Sequence, residues 1–124
     1  MEDSDQLLLI QEIVGMVATA IEKNWDELMI CCYVDDEQSD LCVTYLITQN
    51  NVPHEKSARV PHALDALFRA LRVALPGGQG ELFSSCKLHV FSDGRFDAKY
   101  GHGVVDWDGV TVAGWNFSHV TSLH

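Results

Sequence analysis

The chain reads as an α+β domain: an antiparallel sheet packed by two helices, in helix-hairpin-helix-hairpin order, with a C-terminal strand extension. Three observations predict this. Apolar residues recur at steps of three and four near the N-terminus and again after Pro61. Each of these stretches is followed by a pair of β-rich runs joined by a short polar turn. The 124 residues are the usual size of one domain, so residues 1–124 should share a single core that buries roughly 65–70% of the unfolded surface.

The first helix is expected after Asp3 or Ser4, either of which suits an N-cap. Leu7, Ile10, Val14, Val17 and Ile21 form one apolar stripe, broadened by Leu9, Met16 and Ala20, with Asn24 as the C-cap. A membrane-surface helix would be expected to carry several lysines or arginines along its polar face, and this one has only Lys23, at its end.

After Trp25, the runs Leu28–Asp35 and Leu41–Thr48 are rich in β-branched and aromatic residues and bracket Asp36-Glu37-Gln38-Ser39, which predicts a hairpin. Alternation assigns Leu28, Ile30, Cys32, Val34, Leu41, Val43, Tyr45 and Ile47 to the core face. Met29, Cys31, Tyr33, Cys42, Thr44 and Leu46 fall on a half-apolar outer face. A polar loop is expected from Gln49 to Arg59. Pro61 then suits the first position of a helix carrying Leu64, Leu67, Phe68, Leu71 and Leu75, which Pro76-Gly77-Gly78 ends. Asp65 and Arg69, four apart, fit its solvent side.

The second hairpin can be argued to its register. A two-residue Asp93-Gly94 loop would oppose Val90 to Asp97 and place charge on the apolar face. A three-residue loop, Ser92-Asp93-Gly94, instead pairs Val90 with Phe96, Leu88 with Ala98 and Cys86 with Tyr100. It also leaves His89 opposite Asp97 on the outer face. Further on, Asp108-Gly109 offers a turn between Val104–Trp107 and Val110–Ala113, predicting one or two extra strands against which Trp107, Trp115 and Phe117 pack or stand at an interface.

Net charge is −10, and its distribution is lopsided. Residues 1–50 hold eleven acids against the single base Lys23, whereas residues 51–124 hold seven of each sign. Such a surface repels nucleic acid and anionic lipid and attracts a basic protein. A solvated face kept acidic for solubility is the simpler alternative. Cys31, Cys32, Cys42 and Cys86 lie in strand-like runs without CxxC spacing, so reduced, packed thiols are expected rather than zinc or disulfides. The acidic Met-Glu-Asp-Ser-Asp start and the lack of a long apolar run predict a cytosolic protein.

Catalytic signatures are missing: no GxSxG, catalytic-cysteine motif, P-loop or GxGxxG occurs. His102, Asp106 and Asp108 offer metal-ligand chemistry without a strong spacing rule, and His54 and His62 are expected at the surface, so no cofactor is expected.

The order helix, Trp25, acidic hairpin, amphipathic helix, then a strand ending in Ser92-Asp93-Gly94-Arg95-Phe96 resembles the YezG-like family of bacterial immunity proteins over residues 8–100. The resemblance implies a non-enzymatic inhibitor that binds a cognate toxin domain, often a nuclease, of a bacterial competition system; beyond Gly101 the chain departs from the family's acidic, aromatic ending. Charge points the same way, since nuclease domains are basic and an acidic surface can occupy the same groove. Asp35, Asp36, Glu37 and Asp40 are the expected contacts, with Tyr33, Trp107 and Trp115 as anchors. The competing expectation is an enzyme or small-ligand module using the half-apolar face with His89, His102 or Asp106.

Overall fold

Ile10, Ile13, Val14 and Val17 lie on one side of a helical turn pattern, and all four are buried in α1, Glu2–Ala18. The structure, a computed structural model, describes residues 2–74, 82–105, 107 and 115–122. Its further elements are β1 (Trp25–Val34), β2 (Ser39–Gln49), β3 (Val52–Ala58), α2 (Leu64–Ala74), β4 (Ser85–Phe91), β5 (Arg95–Gly101) and β6 (Trp115–Ser122). The protein is therefore a small α+β domain. Its strands form one sheet in the order β3-β2-β1-β4-β5-β6, with every neighbouring pair antiparallel.

Period-two alternation decides which side of the sheet is covered. Leu28, Ile30, Cys32 and Val34 are wholly buried, and Val43, Tyr45, Ile47, Leu88, Val90, Phe96, Ala98 and Tyr100 lie on the same face. They form one core with the buried sides of α1 and α2, the latter supplying Leu64, Phe68 and Leu71. Phe68, Phe83 and Phe96 are its largest fully buried side chains, and truncating such a residue to alanine costs about 3–5 kcal/mol. Both helices pack on this inner face. The outer face keeps its half-exposed side chains.

The second hairpin has the register derived from its sequence: Val90 faces Phe96, Leu88 faces Ala98 and Cys86 faces Tyr100. Gly94 has φ 96° and donates its N–H to the Phe91 carbonyl, a conformation that a Cβ would strain.

Several boundaries differ from expectation. The stretch Gln49–Arg59 is no loop, because Val52–Ala58 forms edge strand β3. Asn50 and Asn51 both have positive φ, 53° and 63°, and close a two-residue hairpin between Gln49 and Val52. Pro53, Glu55 and Lys56 suit an edge, where a missing N–H and charge discourage pairing with another chain. Helix α1 ends at Ala18, leaving Ala20 exposed, and Asn24 (φ 70°) leads into β1 instead of capping the helix. Pro61 precedes α2, its carbonyl accepting the N–H of Leu64; Leu75 lies outside the described residues. Val104 and Val105 are not in a strand, residues 108–113 lie outside the described residues, and the added strand is β6.

Cys32 and Cys86 face each other across β1 and β4 in the core, where burial pushes the Cys32 thiol up to about 12 and the Cys86 thiol well up. Cys31 is half-buried and Cys42 is exposed, so the expectation of packed thiols fails at Cys42. All four are free.

Candidate functional site

The acidic turn between β1 and β2 is built around Asp35. Its N–H donates to the Gln38 carbonyl, and its Oδ1 accepts the N–H groups of Glu37 and Gln38, both at 2.8 Å. A carboxylate two or three residues before the groups it binds folds the loop onto itself. These two backbone donors hold the Asp35 carboxyl below the ordinary aspartate range. Its Oδ2 accepts Trp107 Nε1 at 2.9 Å, joining the chain after β5 to the turn.

Helix α2 braces the same turn from beneath. Arg69 Nη1 donates to the Asp35 carbonyl at 3.1 Å while its Nε donates to Asp65 Oδ2 at 3.1 Å. Ser39 Oγ donates to Asp65 Oδ1, and that bond, followed by Arg69, holds Asp65 below its ordinary range. One turn on, Arg72 Nε donates to the Phe83 carbonyl at 2.7 Å and its Nη1 to Asp36 Oδ1 at 3.0 Å. The Arg72 side chain is 14% exposed and that of Asp36 is 87% exposed.

The expected contact residues therefore divide. Asp36, Glu37 and Asp40 are exposed at the turn and its flank, with Asp40 opposite half-buried Tyr33. Asp35, expected as a contact, is instead bound into the loop's own scaffold. Trp107 is half-buried and tied to Asp35. Trp115 opens β6, and its side chain lies outside the described residues. Arg69 and Arg72 were not expected at this site. Their three-residue spacing in α2 was the available signal, since it puts both on one helix side.

The outer sheet face holds the other candidates. His89 faces Asp97 in register, but its Nε2 lies 2.7 Å from Glu27 Oε1, and its ring stacks on Phe91 with centroids 4.5 Å apart. The register thus sets His89 opposite Asp97 as expected, while its ring nitrogen engages Glu27 on the neighbouring strand. Beside it is a hollow of about 260 Å3 bounded by Glu27, Met29, Thr44, Leu46, Glu55 and His89. A second hollow, of about 200 Å3, lies among Met29, Lys87, His89, Asp97 and Lys99. His102 is half-buried, and Asp106 and Asp108 lie outside the described residues. Among the described residues no three His, Cys, Asp or Glu side chains are grouped to hold a metal ion. No helix among them is long and apolar enough to cross a membrane.

No protein-family model matches the chain, and no curated protein matches it significantly.

Proposed function

We propose that the protein is a cytosolic immunity protein that binds and neutralises a cognate toxin domain, a basic nuclease by charge, using the acidic β1–β2 turn. The observation carrying this reading is the division of labour at that turn. Asp35 and the α2 arginines fix the loop, and Asp36, Glu37 and Asp40 are presented outward from it. A fixed acidic projection suits a groove built to hold phosphates, and complementary charge speeds encounter and sets specificity. Tyr33, beside Asp40, and Trp107, bound to Asp35, are the nearest aromatic anchors. No role is needed for catalysis or a cofactor.

Calorimetry of the purified protein with the product of the adjacent open reading frame, expected to end in a small basic toxin domain, tests this. Asp36→Asn, Glu37→Gln and Asp40→Asn together should weaken binding at least about tenfold, and added salt should weaken the wild type more than the variant. Equal affinity at every ionic strength would leave the turn a solubilising face only.

A further inference from the structure

The pairing register sets two carboxylates on either side of one leucine. Glu27 on β1 faces Leu46 on β2, and Leu46 faces Glu55 on β3. Adjacent strands lie about 4.8 Å apart, so the two glutamate positions are about 10 Å apart across the sheet. Between them is the outer-face hollow of about 260 Å3, with Met29 and Leu46 as its apolar lining.

We propose that this hollow seats a lysine or arginine side chain of the protein's partner, with its aliphatic stem over Met29 and Leu46 and its cationic head between Glu27 and Glu55. The partner's identity as a basic toxin rests on the immunity reading above; the chemistry of the seat does not. An alkyl stem with a charged tip is the side-chain form that gains from apolar contact along its length and from acid at its end. The volume falls below the roughly 300–1,000 Å3 of small-molecule pockets, which favours an inserted side chain over a cofactor. His89 Nε2 engages Oε1 of Glu27, and a carboxylate has a second oxygen with which to accept the incoming donor. Nucleic acid is disfavoured by the paired carboxylates. A second copy is disfavoured because each chain carries a net charge of −10.

The seat is tested without the toxin by titrating isotope-labelled protein with Nα-acetyl-arginine amide and, as an uncharged mimic, Nα-acetyl-citrulline amide. Amide shifts should move at Glu27, Met29, Leu46 and Glu55 with the arginine probe, at least tenfold more weakly with citrulline, and not at all in Glu27→Gln/Glu55→Gln. Leu46→Trp, which fills the hollow while keeping both carboxylates, should also abolish them. Equal response to both probes, no response, or concentration-dependent shifts at these residues in the protein alone (a second copy in the hollow) would each overturn the proposal. With the toxin domain, both variants should bind at least tenfold more weakly than wild type. Unchanged toxin affinity in both variants overturns the seat and leaves the immunity reading standing. Arginine binding in the hollow by a protein that binds no toxin upholds the seat and overturns that reading.

Discussion

Replacing Arg72 by alanine and Asp36 by asparagine separates two ways in which α2 can hold the acidic turn. Arg72 makes one bond to the carbonyl of Phe83, a wholly buried residue, and one to Asp36, whose side chain is 87% exposed. Losing the first strands a carbonyl acceptor, which costs about 1–3 kcal/mol, whereas an exposed ion pair contributes about 0.5 kcal/mol or less. Arg72→Ala should therefore destabilise by about 2 kcal/mol. Unfolding entropy is about 2.1 cal/mol/K per residue, or about 0.26 kcal/mol/K for 124 residues, so the melting temperature should fall by about 8 °C. Asp36→Asn should shift it by no more than about 2 °C, and the double variant should resemble Arg72→Ala alone. Calorimetric or circular-dichroism melts of the four proteins read this directly. If Asp36→Asn costs as much as Arg72→Ala and the double variant no more, the ion pair carries the brace and Asp36 is a structural residue. If Arg72→Ala melts with the wild type, water replaces the guanidinium at the Phe83 carbonyl and the argument from its burial fails.

Three further outcomes follow from the same geometry. In the native protein an aromatic disulfide reagent should label exposed Cys42 first and half-buried Cys31 more slowly, and reach Cys32 and Cys86 only on unfolding; mass spectrometry of the adducts checks the order. Glu22, held down chiefly by Lys56, Asp35, by the Gln38 amide, and Asp65, by Ser39, all have lowered pKa values when folded, so their contribution is present above about pH 4.5 and should fade as pH falls through and below 4, seen as a melting temperature that drops across that interval. Gly94→Ala should cost about 1–2 kcal/mol in denaturant titration, because its φ of 96° lies where L-residues are strained, and an unchanged midpoint would mean the turn relaxes to another type.

Which parts of this fold were legible follows from where the information sits. The faces of β1 and β2 were readable because one side is buried and the other is not, which writes alternation into Leu28, Ile30, Cys32 and Val34. The second hairpin was readable because a one-residue slip would turn Asp97 and Lys99 onto the core face. Strand β3 left no such trace: as an edge with both sides largely solvated, Pro53-His54-Glu55-Lys56 has no apolar period, and only Asn50-Asn51 marked the turn before it. At the site, exposure of Asp36, Glu37 and Asp40 followed from local acidity. The role of Asp35 did not, because its partners include an arginine 34 residues away and a tryptophan 72 residues away. The hollow between Glu27 and Glu55 was hidden for the same reason, since it exists only once β3 is placed beside β2.

The tethering of the β1–β2 turn also bears on how quickly the proposed complex would form. A free loop of this length samples many shapes, and a partner must either wait for the right one or order it after contact, which slows association and costs about 0.5–1.5 kcal/mol for each long side chain immobilised. Here the peptide groups of Asp35, Glu37 and Gln38 and the chain at Trp107 are already fixed to one another, so only the outer carboxylates of Glu37 and Asp40 and the loosely held one of Asp36 remain to settle. Capture by such a turn should be a single kinetic step whose rate depends on charge and viscosity and hardly at all on loop rearrangement.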